Sequence, residues 1–79
     1  MNQGQRMVIQ MKQSDVEIGG LYRHFKGGLY RVRGFATHTE TEENLVIYYN
    51  VRDLTLWARP IEMFCETVDG KPRFEEVTE

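Results

Sequence analysis

The chain has 79 residues, a length that predicts one small domain. Its net charge of −2 argues against a dedicated duplex-DNA-binding protein, because such proteins neutralise phosphates with many cations. The single cysteine, Cys65, excludes an internal disulfide and is expected to be a small buried hydrophobic residue.

The first 17 residues differ in composition from the rest of the chain. Residues 1–17 are predicted to be a flexible N-terminal tail, with a short edge strand over Met7–Met11, and residues 18–79 a single β domain. Ser14 and Glu17 have the spacing of a capping box, but the glycines that follow limit any helix to one turn. The chain has no apolar run of membrane-spanning length and no signal peptide, so a cytoplasmic location is expected.

The five letters Gly-Gly-Leu-Tyr-Arg occur twice and predict a β-hairpin. Two segments rich in aromatic and branched residues, Leu21–Phe25 and Leu29–Ala36, flank Gly27-Gly28, which suits a two-residue turn. In that register Phe25 lies opposite Tyr30. One face then holds Leu21, Phe25, Tyr30 and Val32, and the other is cationic and aromatic. The second face is predicted to comprise Tyr22, His24, Lys26, Arg31 and Arg33.

The rest of the chain predicts further short strands. Leu45–Val51 is nearly all apolar and reads as a central strand, and Leu56–Arg59 is a fourth strand that Pro60 ends. Ile61–Phe64 is predicted to be one 3₁₀ turn, and Asp69-Gly70 a turn before the last strand.

Together these elements predict a mainly β fold, a small SH3-like β-barrel of five to six short antiparallel strands with one 3₁₀ turn. That comparison with SH3-like barrels rests on the order of elements, and a fold does not by itself give a function.

The residues that could carry chemistry do not form a catalytic or metal-binding motif. His38 and Glu40 lie two residues apart on one predicted strand and so point the same way. They could act as an acid–base pair in a small enzyme, but no further ligand completes a metal site. Neither a metal nor a cofactor is expected.

Aromatic and cationic residues favour binding instead. Trp57 and Arg59 alternate onto one face of the fourth strand, and Arg59 could hold an anion or pair with Glu40 or Glu62. Aromatic rings among cations suit single-stranded nucleic acid, an acidic peptide or a small anionic ligand.

Three blocks of the sequence stand out: Gly20–Gly27 with Tyr30–Val32, His38–Glu42 with Val46–Tyr48, and Leu56–Pro60 with Met63–Glu66. In this order and spacing they resemble a family of short bacterial proteins, domain of unknown function 1653. The resemblance covers about residues 18–75 and implies no established activity. The family pattern matches these positions: Tyr22, Arg23, His24, Lys26, Gly27, His38, Glu40, Thr41, Trp57, Arg59 and Pro60.

The sequence therefore predicts a non-catalytic binding module for an anionic or mixed-charge ligand. Its polar cleft is predicted to comprise His24, Lys26, His38, Glu40, Trp57 and Arg59. Two alternatives stay open: a small enzyme that uses His38 with Glu40, and a structural protein that acts through a partner or as a homodimer.

Overall fold

An antiparallel β-sheet forms the centre of the protein, as seen in a computed structural model that describes residues 11–79. Within these residues there are seven strands: β1 Leu21–His24, β2 Leu29–Thr37, β3 Asn44–Asn50, β4 Leu56–Pro60, β5 Thr67–Val68, β6 Lys71–Pro72 and β7 Phe74–Glu76. The predicted mainly β fold is thus confirmed. The predicted edge strand at Met7–Met11 lies almost wholly outside the described residues.

Five of the strands make one sheet in the order β4-β3-β2-β1-β7, and β5 pairs with β6 in a separate hairpin. Asp69 and Gly70 both have positive φ in the turn between β5 and β6, which confirms the turn predicted there. Within residues 11–79 no ladder joins β4 to β7, so the hydrogen-bonded sheet is open along these two edges.

The register of the first hairpin differs from the prediction. Tyr22 lies opposite Tyr30, and the Gly27 N–H donates to the His24 carbonyl, so the loop has three residues, Phe25 to Gly27. Gly27 takes the positive φ that closes this longer loop. The prediction of a two-residue turn is therefore wrong, and so is the assignment of Tyr22 and His24 to a face opposite Tyr30 and Val32.

One face of the sheet carries the core. Because side chains alternate along strands, Tyr22, Val32, Val46 and Tyr48 share this face and are buried. Phe64 and Phe74 complete the core with two parallel rings whose centroids lie 4.0 Å apart. The domain is therefore held together largely by aromatic packing.

Two single helical turns support the sheet. The turn predicted at Ile61–Phe64 is present directly after Pro60, but it is α-helical (α1), and it places Phe64 in the core. A 3₁₀ turn occurs instead at Gln13–Asp15, and Val16 after it is buried. The described end of the predicted tail thus packs against the domain.

The Tyr22 hydroxyl holds residues 15–17 against the sheet by two hydrogen bonds. It donates a hydrogen bond to the Asp15 carbonyl and accepts one from the Glu17 N–H, both at 3.1 Å. Burial raises the pKa of Tyr22, so the hydroxyl stays protonated and can donate at neutral pH.

No helix within residues 11–79 is long and apolar enough to cross a membrane.

Candidate functional site: an aromatic cleft beside Arg59

A small cleft opens on the core face of the sheet where β1, β2, β3, β4 and β7 contribute side chains. Its volume is about 140 Å³, well below the roughly 300–1,000 Å³ typical of pockets for drug-sized ligands. Six residues line it: His24, Tyr30, Tyr48, Trp57, Arg59 and Phe74. A cleft of this size can accept one chemical group of a ligand, such as a carboxylate, a phosphate or a ring.

The register of β3 and β4 puts two of the predicted site residues in the cleft. Trp57 lies directly opposite Tyr48, and Arg59 lies opposite Val46. Two residues apart on one strand, they point to the same side, as the sequence predicted. Trp57 is 51% exposed, so its ring is available to a ligand.

The base of the cleft is made of interlocked aromatic rings. Phe74 contacts Tyr48 and Tyr30 edge-to-face, with centroid distances of 5.5 and 5.7 Å. It also stacks on Phe64, which is fully buried. The cleft wall is therefore part of the core, and its shape is set by core packing.

Arg59 supplies the positive charge of the cleft. Its Nε donates a hydrogen bond to the Tyr48 hydroxyl at 3.1 Å, which fixes the guanidinium beside the rings. In the described part of the chain the two ion pairs are Arg31–Glu79 and Arg73–Glu66, and Arg59 belongs to neither. The expected pairing of Arg59 with Glu40 or Glu62 is absent, so its charge is not neutralised by a carboxylate of residues 11–79.

His24 supplies a second polar group. Its Nδ1 accepts a hydrogen bond from the Lys26 N–H at 3.1 Å, so in the neutral imidazole the proton resides on Nε2. Burial lowers the pKa of His24, and the charges of Arg59, Arg73 and Lys26 lower it further. At neutral pH His24 is therefore an uncharged ring that can donate one hydrogen bond.

Lys26 lies next to the cleft but does not line it. It occupies the loop between β1 and β2, where its Nζ lies 5.8 Å from the centre of the Phe25 ring. After burial and the charges of Arg59 and Arg73, the charge of Lys26 also lowers the pKa of His24. Lys26 therefore contributes to the positive potential around the cleft.

His38 and Glu40 lie elsewhere. They follow β2, at the opposite end of that strand from Tyr30, roughly 25 Å away along an extended chain. His38 Nδ1 accepts hydrogen bonds from the N–H groups of Glu40 and Thr41 at 3.1 and 3.3 Å. The six predicted residues thus do not converge: three line the cleft, Lys26 borders it, and two belong to the β2–β3 loop.

The same local motif recurs at both histidines. In each, Nδ1 accepts a hydrogen bond from the backbone N–H two residues later, in a loop that joins two strands. This hydrogen bond gives each histidine a structural role in its loop. Within residues 11–79 no group of three His, Cys, Asp or Glu side chains is arranged to hold a metal ion.

Cys65 is buried, as predicted, with 3% of its surface exposed. Burial raises the pKa of its thiol, so the reactive thiolate is disfavoured. Cys65 is therefore part of the core and not a candidate nucleophile.

Three residues of the cleft were not predicted from the sequence as site residues: Tyr30, Tyr48 and Phe74. The sequence does not mark which face of β3 is buried, because Leu45–Val51 is nearly all apolar; the structure buries Val46 and Tyr48 and leaves their neighbours less buried. Nothing in the sequence indicates that β7 lies beside β1, which is the pairing that brings Phe74 opposite His24.

Comparison with known proteins identifies one family. The sequence model of one family, described as "Protein of unknown function (DUF1653)", matches residues 20–76. No curated protein and no solved structure matches the chain.

Proposed function

Because the chain belongs to the DUF1653 family, whose function is unknown, we propose from the geometry of the cleft that it is a non-catalytic binding module for an anionic group. The observation that carries the proposal is the half-buried Arg59, held among aromatic rings by Tyr48 and without a carboxylate partner in the described chain. A buried or half-buried charge is costly unless a partner compensates it. An anionic ligand group provides that compensation.

The surroundings of Arg59 define the ligand further. Trp57 offers an exposed ring face, and His24 offers an N–H donor. A carboxylate or phosphate attached to a planar or apolar group satisfies all three residues, since the anion binds the guanidinium and the planar group stacks on the indole. An acidic small molecule, an acidic peptide and a single-stranded nucleic acid all contain such an anion.

The absence of catalysis, the cytoplasmic location and the SH3-like architecture are parts of the same proposal. The proposal of a non-catalytic role is supported by the use of both histidines as loop hydrogen-bond acceptors. The SH3-like arrangement is supported by the helical turn α1, which directly follows β4 and precedes the last strands. The separation of His38 from the cleft gives no support to an enzyme built on His38 and Glu40.

Fluorescence of Trp57, the sole tryptophan, gives the test. Phenyl phosphate is titrated into the wild-type protein, and phenol serves as the neutral probe of the same ring. We expect saturable quenching by phenyl phosphate alone. Arg59→Gln should weaken that binding about tenfold or more, which matches the roughly 1.5–3 kcal/mol of a hydrogen bond to a charged group.

Arg52→Gln is the matched control, because Arg52 is an exposed arginine in the β3–β4 turn and does not line the cleft. The affinity of this variant for phenyl phosphate should equal that of the wild type. Equal binding of phenol and phenyl phosphate, or equal affinities of the two variants, would show that the cleft does not select an anion.

A further inference from the structure

Strand β4 lies at one edge of the sheet, and its outer side is not paired with any strand of residues 11–79. Leu56 and Trp57 on this strand are 55% and 51% exposed, and Ala58 is exposed as well. An edge strand with exposed apolar side chains offers backbone groups to a further strand. The backbone groups that β4 directs outward determine which strand can pair with this edge.

The backbone of β4 alternates between the β3 side and the outer side. The Asn50 N–H donates to the Thr55 carbonyl at 3.0 Å, so the backbone of Thr55 faces β3. By alternation Trp57 and Arg59 also face β3, in register with Tyr48 and Val46. Leu56 and Ala58 therefore direct their N–H and C=O groups outward.

The outward N–H and C=O groups of β4 can pair with those of a second, antiparallel β4 strand. We propose that β4 pairs antiparallel with β4 of a second copy of the chain, about a twofold axis at Trp57. Leu56 of each copy then exchanges both backbone hydrogen bonds with Ala58 of the other, which satisfies every outward group of these two residues. Pro60 has no N–H and ends the ladder.

The twofold axis brings the two Trp57 side chains together. They form a non-hydrogen-bonded pair, the closer kind, with Cα atoms about 4.5 Å apart. The two indole rings then lie side by side on the core face of the sheet. Since Trp57 also lines the cleft, the clefts of the two copies lie on either side of the axis.

The charges that flank β4 agree with this alignment. Arg52 precedes the strand, and Glu62 follows it. Antiparallel pairing about Trp57 places Arg52 of one copy opposite Glu62 of the other, and Glu62 opposite Arg52. Opposite charges thus meet at both ends, which favours a second copy over a strand of unrelated sequence.

Sedimentation equilibrium of the full chain without any ligand tests the proposal independently of the cleft's function. The wild type should sediment at twice the 9.3 kDa chain mass. Ala58→Pro, which removes one outward N–H, should sediment as the single chain with an unchanged circular dichroism spectrum. Ala58→Ser, which keeps the N–H, should remain a dimer.

Disulfide trapping keeps the proposal testable if Ala58→Pro does not fold. Trp57→Cys places two thiols across the axis and should give a disulfide-linked dimer under mild oxidation. Leu54→Cys, an exposed position three residues from the axis, should give far less disulfide-linked dimer. The buried Cys65 thiol does not form this disulfide. A wild-type monomer at millimolar concentration, or equal trapping at residues 54 and 57, would overturn the proposal. So would a monomer whose Ala58 amide is protected from hydrogen exchange, since it would assign the edge to residues 1–10.

Discussion

At the scale of single residues, the cleft depends on three side chains with different physical roles. Arg59 is held by Tyr48, His24 by the backbone of Lys26, and Trp57 is left free to contact a ligand. Preorganisation of this kind reduces the entropy that a ligand's binding must offset. The charge, the donor and the ring are therefore in place before any ligand binds.

The low pKa of His24 predicts how stability varies with pH. Because its pKa in the folded state lies below the ordinary 6.5, the unfolded chain binds more protons at pH values just below 6.5. The free energy of unfolding should therefore be highest above pH 6.5 and should fall as the pH decreases below it. Urea denaturation at pH values from about 5 to 7.5 measures this slope.

His24→Gln, which cannot titrate, should remove that part of the slope. NMR titration of the His24 ring protons measures the pKa directly, and it should rise towards the ordinary value when phenyl phosphate is present, because an anion stabilises imidazolium. A slope that is the same in wild type and variant would show that His24 is not responsible.

Tyr22→Phe tests the attachment of residues 15–17 to the sheet. Loss of the hydroxyl removes the hydrogen bonds with Asp15 and Glu17, and the free energy of unfolding should fall by about 1–2 kcal/mol. Tyr30→Phe is the control, because within residues 11–79 its hydroxyl makes no hydrogen bond, and it should change stability by less than about 0.5 kcal/mol. Equal losses in the two variants would contradict the anchoring role.

At the scale of elements, the β1–β2 hairpin shows where sequence reasoning succeeds and where it stops. Glycine pairs and branched residues predict both strands correctly, because these signals are local. Two consecutive glycines allow loops of either two or three residues, so the register is not determined locally. Core packing selects the three-residue loop, since only that loop puts Tyr22 and Val32 on one face.

Gly27→Ala tests the positive φ of Gly27 in the hairpin loop. Gly27 has φ of +103°, a conformation that costs an L-residue about 1–2 kcal/mol, so stability should fall by that amount. Gly34→Ala is the control, because a Cβ at Gly34 meets nothing within 4 Å and no positive φ is required there. Guanidinium denaturation of both variants should show a loss for Gly27→Ala alone, and a loss confined to Gly34→Ala would contradict this loop geometry.

At the scale of the whole molecule, the cleft exists because five strands bring distant parts of the chain together. The sequence predicts that Trp57 and Arg59 share a face, since strand alternation is a local rule. It also predicts that His24 joins them, but local rules cannot separate His38 and Glu40 from the cleft, because the lengths and pairings of the strands determine those distances. Three of the six predicted site residues, His24, Trp57 and Arg59, therefore line the cleft.

Chemical-shift mapping with phenyl phosphate tests the central proposal, an anion-binding cleft at Arg59, most directly. The proposal predicts saturable shifts of the Arg59 Nε–H, the Trp57 indole N–H and the amide of His24, with no change at His38 and Glu40 in the distant loop. Shifts centred on His38 and Glu40, or no saturable shift at Arg59, would contradict it.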